Sequence, residues 1–273
     1  MQNRSIAFIG AGNMSSSIIS GLIKNGYPNA LVYASNPSKP KLDALQTQFD
    51  INTSQDNTQV ARAAEVIVLA VKPQLMNEMI SQLELTDEEK SNKLFISIAA
   101  GLPVARIQAM LGGAYSLIRT MPNTPSLLGL GMTGMYAPDN VKKADIEFAD
   151  QIMSAVGKTT WVAAESGIDH IIALAGSAPA YFFLFMEGMI KEAINLGFSE
   201  AEAKAIVQQV ALGSAQMVKE NDVDIATLRA QVTSKGGTTA AAIESFNQSD
   251  LHGTIQKAMK AAIARSEEMA KLF

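Results

Sequence analysis

Ser5-Ile6-Ala7-Phe8-Ile9-Gly10-Ala11-Gly12-Asn13-Met14-Ser15-Ser16 is the stretch that decides the fold. Its four apolar residues, Ile6 to Ile9, read as a short buried strand, Gly10 and Gly12 as a tight turn, and the segment from Asn13 onward as an amphipathic helix. A strand, a glycine turn and a helix in this order leave the first backbone N–H groups of the helix unpaired and pointing at the turn, which suits a pyrophosphate. Gly10 allows the turn and Gly12 lets the backbone approach the phosphates. Ser15 stands where a third Gly or Ala is usual and is small enough to keep helix and strand close. A Gly-x-Gly pair alone also fits a strand-to-helix turn that holds no ligand, so the context must choose.

At 273 residues the chain suits two domains of ordinary size. With 22 basic and 26 acidic residues the net charge is −4. No dense Lys/Arg stripe is present, so neither nucleic acid nor an anionic membrane surface is an expected partner. The absence of cysteine excludes disulfides, thiolate nucleophiles and Cys-based zinc sites. It is compatible with a reducing cytoplasm, and a strand so close to Met1 leaves no room for a signal peptide, so a cytoplasmic location is expected. His170 and His252 have no metal-like partner by spacing and read as structural or surface groups; no metal is expected. The 14 methionines read as core or interface filler.

The two halves have different rhythms. Short β-rich runs at Ile6–Ile9, Leu31–Ala34, Val66–Val71, Leu94–Ile98, Ser116–Arg119, Met132–Tyr136 and Thr159–Val162 alternate with helical patterns, which implies βαβ units and a mostly parallel sheet of α/β, Rossmann type over residues 1–164. After Glu165 the strand signals stop. Long Ala/Met/Ile/Leu segments fill Pro179–Leu196, Ser199–Asn221 and Asp250–Leu272, so residues 165–273 read as an all-α domain. Ile171 to Ile190 carries a single charge, Glu187, and is long enough for a membrane span. Gly176, Ser177 and Pro179 interrupt it and basic anchors are missing, so burial in a subunit interface is the reading taken.

In such a sheet ligands bind outside the carboxyl ends of the strands. Ser35-Asn36-Pro37-Ser38-Lys39 has hydrogen-bond donors and a cation where an NAD site would place a carboxylate, which favours NADP; a plain polar turn is the alternative. Ala70-Val71-Lys72-Pro73 and Ile98-Ala99-Ala100-Gly101 follow two further strands, with small residues that let a flat ring lie against backbone. Met121-Pro122-Asn123-Thr124-Pro125 reads as a rigid loop unsuited to regular secondary structure. In the helical half, Gly176-Ser177-Ala178-Pro179-Ala180-Tyr181 stands out, as does Val232-Thr233-Ser234-Lys235-Gly236-Gly237-Thr238-Thr239 just before the helical run Ala240–Phe246. A diglycine turn at a helix N-terminus makes a backbone N–H concavity for a small carboxylate, or else an ordinary Ser/Thr cap.

Taken in order, these segments resemble the pyrroline-5-carboxylate reductase family over nearly the whole chain, most specifically Val232-Thr233-Ser234-x-Gly236-Gly237-x-Thr239-x-x-Ala242-Ile243. The resemblance implies a Rossmann domain followed by a helical dimerisation domain like the C-terminal domain of 6-phosphogluconate dehydrogenase. It further implies homodimers able to assemble further, for example into a decamer, and NADPH as the preferred cofactor, with NADH as a second possibility. The substrate would be 1-pyrroline-5-carboxylate and the product proline. By similarity Ile9, Gly10, Ala11, Gly12, Asn13 and Met14 hold the pyrophosphate, Asn36 lies by the adenosine phosphate, beside Ser35 as a cofactor-side candidate from its hydroxyl, Asn57, Ala70, Val71, Lys72 and Pro73 contact the nucleotide, and Ile98, Ala99 and Ala100 flank the nicotinamide. The substrate would sit on Ser234, Gly236, Gly237, Thr238 and Thr239 with Asn123 nearby, and Thr239, the candidate catalytic residue, would point its hydroxyl at the imine nitrogen. Two residues depart from the family pattern: Lys235, where Pro is common, and Ala178, where a second Gly is usual.

Two other classes share parts of this pattern. A small hydroxy-acid dehydrogenase would usually carry a catalytic Lys on the first helix of the helical half, where this chain has Ala180-Tyr181-Phe182-Phe183-Leu184 and no lysine before Lys191. A non-catalytic NADP-binding regulator would keep the glycine turn but has no use for Thr239 beside a carboxylate nest.

Overall fold

The computed structural model describes residues 3–272. Eight strands, β1 (Ile6–Ile9), β2 (Val32–Ser35), β3 (Asn52–Ser54), β4 (Val66–Leu69), β5 (Leu94–Ser97), β6 (Leu117–Met121), β7 (Gly131–Tyr136) and β8 (Gly157–Trp161), form one sheet in the order β3-β2-β1-β4-β5-β6-β7-β8. All neighbours pair in parallel except β6 and β7, which are antiparallel. Strands β1, β4 and β5 are buried along their whole length, as expected of parallel strands covered on both faces. Helices α1 (Asn13–Lys24), α2 (Lys39–Phe49), α3 (Asn57–Ala63), α4 (Pro73–Ser81), α5 (Asp87–Ser91), α6 (Val104–Leu111) and α7 (Lys143–Ser154) connect them.

Two packed layers make the core. One gathers Ile18, Ile19, Leu22, Phe148 and Ile152 of α1 and α7 against Ile6, Phe8, Val66 and Val68; the other gathers Met76, Ile80 and Ile107 of α4 and α6 against Ile67, Leu69 and Phe95. Alternate residues of β4 thus serve opposite faces, the two-residue period of a strand. Strand β3 had no place among the β-rich runs of the sequence. Asn52-Thr53-Ser54 is polar because it is an edge strand with β2 as its one neighbour, so no hydrophobic pattern is needed. The other strands fall within one or two residues of their expected bounds.

After the sheet come α8 (Gly167–Ile171), a π-helical turn over Ile172–Gly176, and the helices α9 (Ala178–Asn195), α10 (Glu200–Glu220), α11 (Ile225–Gln231), α12 (Thr238–Gln248) and α13 (Leu251–Leu272). Ser199 caps α10 through a reciprocal box with Glu202, and Asp224 caps α11 by accepting the Thr227 N–H. The described chain divides into two compact units: residues 3–177 with 262–272, and Ala178–Ala261. The first therefore includes α8, the π turn and the end of α13 as well as the sheet. Ile168 and Ala173 are buried there, Ile171 packs on Gly134 of β7, and Ser266 of α13 is bonded to Asp169. In the second unit α9 and α10 are the main pair, and Phe185 and Phe246 meet with ring centroids 6.0 Å apart.

Candidate functional site

The order of the sheet reverses at β1, whose neighbours are β2 and β4, so the crevice lies at the carboxyl ends of β1 and β4. Gly10 sits in it. Its N–H donates to the Ser35 carbonyl at 2.9 Å, and the Ala70 N–H donates to the Ile9 carbonyl at 2.9 Å, so three strand ends are tied at one point. At φ +107° Gly10 holds a conformation that L side chains rarely adopt, and a Cβ there would lie 2.7 Å from the Ala70 carbonyl oxygen. Gly12 is the N-cap of α1 and differs: its backbone is extended, and a Cβ would meet nothing within 4 Å. No side chain caps α1 and its first turn carries no acidic residue, so the N–H groups of Asn13 and Met14 face the crevice without competition from a carboxylate. This cradle fits a pyrophosphate.

Ser15 does more than fill a small space. It is buried and its hydroxyl donates to the Gly10 carbonyl at 2.5 Å, closing the turn on itself. The Asn36 amide has a similar part: Oδ1 accepts the Ala11 N–H at 3.3 Å, and Nδ2 reaches the Ser38 carbonyl at 3.5 Å. Ser35 stands at the end of β2. Its side chain is wholly buried and its hydroxyl has no partner among the described residues, so Asn36, Ser38 and the exposed Lys39 are the groups that present polar atoms at this edge. Asn57 opens α3, where Asp56 caps the helix by accepting from Thr58 and Gln59. Ala70 and Val71 are half-buried, Lys72 is the exposed N-cap of α4, and Pro73 is its first residue, where the missing N–H costs nothing. Ile98 donates its N–H to the Leu69 carbonyl at 3.2 Å, and Ala99 donates to Ser97 Oγ at 3.3 Å.

The segment Met121–Pro125 is not the irregular loop expected from its prolines. Thr124–Leu128 forms a 3₁₀ helix with Pro125 in its first turn. Asn123 is only 8 % exposed, and both ends of its amide are engaged: Nδ2 donates to the Ala175 carbonyl at 3.0 Å and Oδ1 accepts the Met132 N–H at 2.9 Å. The first bond has a cause in the sequence. In a helix the Ala175 carbonyl would receive the N–H four residues on, but that residue is Pro179, which has none. The chain around it is wound as a π turn, with the Ser177 N–H on the Ile172 carbonyl at 2.7 Å. Asn123 thus meets a helix carbonyl that Pro179 leaves free and ties it to the start of β7.

In the second unit, Ser234–Gly237 forms a tight turn closed by the Gly237 N–H on the Ser234 carbonyl at 3.0 Å. Lys235 and Gly236 are its central residues, and Gly236 has φ +74°, the value required at the second of them in a type II turn. Gly237 is the N-cap of α12, with no side-chain cap bond, and no acidic residue follows in the first turn. Thr238 and Thr239 are the first two helical residues, and Ser234, Lys235, Thr238 and Thr239 are exposed. Backbone N–H groups and hydroxyls therefore converge at an open helix start, a suitable seat for a carboxylate.

His170 and His252 are exposed, and among the described residues no group of three or more His, Cys, Asp or Glu is placed to hold a metal ion. Gly167–Asn195 is long and apolar enough to cross a membrane by length and composition, and only 11 % of its most apolar window is buried within this chain. Sequence reasoning missed one polar centre. Arg119, on β6, is 2 % exposed and pairs with Glu165 at 3.1 Å and Asp169 at 3.4 Å. A lone arginine inside an apolar strand was the available signal.

Residues 165–269 match the family model for pyrroline-5-carboxylate reductase dimerisation, and residues 5–101 match the model described as NADP oxidoreductase, coenzyme F420-dependent. Over 100 % of both chains, the sequence is 53 % identical to the pyrroline-5-carboxylate reductase of Vibrio alginolyticus. Among solved structures it is similar to a pyrroline-5-carboxylate reductase from Coxiella burnetii, at 40 % identity and a TM-score of 0.90, covering 98 % of this chain and 99 % of that one. It is also similar to the Plasmodium falciparum pyrroline carboxylate reductase with NADP bound, at 29 % identity and a TM-score of 0.86, covering 99 % of both.

Proposed function

This chain belongs to the pyrroline-5-carboxylate reductase family, and from that premise we propose how its residues reduce the cyclic imine 1-pyrroline-5-carboxylate to L-proline with NADPH. The observation that carries the reading is the turn Ser234–Gly237 leading into α12: an uncapped helix start, free of acidic residues and bordered by hydroxyls, on the segment where the family signature is most specific.

NADPH, when bound, supplies the hydride that the imine carbon accepts. Gly10, Ala11, Gly12, Asn13 and Met14 bind the pyrophosphate, with Ile9 beneath them. Asn36, assisted by Ser38 and Lys39, lies beside the 2′-phosphate. Asn57 and Ala70 to Pro73 border the nucleotide, and Ile98, Ala99 and Ala100 give the ring a flat backbone surface. The bound Plasmodium NADP and the absence of a carboxylate after β2 support NADPH over NADH, which is the weaker donor in this reading.

Ser234, Gly236, Gly237 and Thr238 hold the substrate carboxylate on backbone amides and so fix the ring. Thr239 sets its hydroxyl at the ring nitrogen, where it donates to the lone pair that forms as the hydride reaches carbon and relays a proton to the resulting amine. Protonated pyrroline is already electrophilic, so orientation supplies most of the acceleration. Asn123 acts on this chemistry through the loop it ties down. The dehydrogenase alternative loses support from Lys191, which is exposed and pairs with Glu187 at 2.5 Å.

The functional division at 164/165 is kept, with the helical part serving substrate binding and dimerisation. Phe182, Phe183, Leu184 and Phe185 are exposed within one chain, and a homodimer covers them; dimers then assemble further, as in a decamer. A soluble cytoplasmic enzyme with a small-molecule substrate, and without nucleic-acid or membrane partners, is the corresponding assignment. The test is NADPH oxidation with 1-pyrroline-5-carboxylate set against small keto acids, repeated with NADH. Turnover of the imine alone, fastest with NADPH, is expected. Turnover of a keto acid alone means the dehydrogenase reading, and tight NADPH binding without turnover means a regulator.

A further inference from the structure

The end of the last helix has no part in the reaction just described, yet it reaches the edge of the sheet where the cofactor reading places the nicotinamide. Ser266 on α13 is 3 % exposed and donates its hydroxyl to Asp169 Oδ1 at 2.7 Å. The same carboxylate faces Nη2 of Arg119 at 3.4 Å, and Nη1 of Arg119 bonds Glu165 Oε1 at 3.1 Å. Glu165 Oε1 in turn accepts the Val104 backbone N–H at 2.7 Å. Val104 opens α6 and so closes the loop that leaves β5 at Ile98. One helical turn beyond Ser266, Met269 covers the middle of that loop: a Cβ at Gly101, where φ is +76°, would lie 3.1 Å from Met269 Cβ.

The loop is therefore held at three places. Its start is bonded to Leu69 and Ser97, its middle lies under Met269, and its end hangs on Glu165. Burying an arginine between two carboxylates is a poor way to gain stability, because desolvation offsets most of the attraction. Such a centre earns its place by fixing geometry, and the geometry it fixes here is residues 98–104.

We infer that Ser266 and Met269, acting through Asp169, Arg119 and Glu165, are positioning residues that hold the loop Ile98–Gly101 in the form that receives the nicotinamide ring. The inference rests on the proposed placing of Ile98 to Ala100 beside that ring. Neither side chain touches substrate or reacting atoms in this account; each sets the surface against which the ring lies.

Hydrogen–deuterium exchange on the full-length protein without cofactor tests it independently of turnover, using Ser266→Ala and Met269→Ala. Exchange across residues 98–104 should rise about fivefold or more in each variant, while residues 10–14 change less than twofold. The NADPH Kd should rise severalfold and the kcat isotope effect with 4-deuterated NADPH should increase, with the KM for the imine unchanged. Exchange that stays at the wild-type rate over 98–104, or rises equally across the whole sheet, overturns the inference, as does local loosening with an unchanged NADPH Kd. If wild-type protein fails to reduce 1-pyrroline-5-carboxylate, the reading of the reaction fails, while the exchange data still decide whether the helix end holds the loop.

Discussion

Replacing Asn123 with Ala distinguishes a substrate contact from a clamp. The substitution removes both bonds of a side chain only 8 % exposed, leaving the Ala175 carbonyl without the donor that Pro179 cannot replace and the Met132 N–H without its acceptor. Each orphaned group costs about 1–3 kcal/mol, so the pair should cost about 2–6 kcal/mol, a large share of a typical domain's stability. In a unit of this size that lowers Tm by roughly 5–15 °C. A second substitution makes the test specific. Pro179→Ala restores an N–H four residues beyond Ala175, so in that background Asn123→Ala should cost about 1–3 kcal/mol less, read as coupling in a double-mutant cycle from urea titrations. Additive effects would refute the account of the free carbonyl. An unchanged Tm together with a KM for the imine raised tenfold or more would return Asn123 to the substrate.

Four further outcomes are expected. Thr239→Val should lower kcat by roughly ten- to hundredfold with Tm almost unchanged, since an exposed hydroxyl serving the reaction is lost, and steady-state kinetics beside a thermal melt checks this. Gly10→Ala should destabilise the fold by about 2–4 kcal/mol through its positive φ and the Ala70 carbonyl, whereas Gly12→Ala should keep Tm within a few degrees yet weaken NADPH binding about tenfold or more by fluorescence titration. Lys235→Gln should lower kcat/KM severalfold for the anionic imine and flatten its salt dependence, and Lys235→Pro, which suits the first central position of the turn, should do the same while stiffening the loop. The Ser199 hydroxyl and backbone N–H hold the Glu202 carboxyl below its ordinary value of 4.5. That contribution is present above the ordinary carboxylate range and disappears as pH falls through the lowered folded value, so the Tm difference between wild type and Glu202→Gln should shrink as the pH is taken down from neutral into the acid range.

The sheet and the cofactor turn were legible because burial on both faces forces continuous apolar runs, and because Gly10 answers a steric demand that few other residues meet. The diglycine turn was legible for the same reason, through the positive φ of Gly236. What escaped depends on partners distant in sequence. Nothing local marks Asn52–Ser54 as a strand, since its pairing with β2 supplies the order. Asn123 looks like a ligand group until the Ala175 carbonyl and the Met132 N–H are seen to engage both ends of its amide, and Ser35 looks like an open donor until the strands bury it. The Arg119 centre joins residues far apart along the chain, Arg119 to Asp169 to Ser266, a link with no period for sequence reading to detect.

The reversal of direction between β6 and β7 has a practical result for anyone following this protein in solution. Because β8 runs parallel to β7, Gly157 lies at the rim that carries the glycine turn and Trp161 at the opposite rim, where its indole N–H is bonded to Asp150. The sole tryptophan is thus an intrinsic fluorophore stationed at the rim opposite the glycine turn, and its emission reports on the integrity of the β8 end of the sheet.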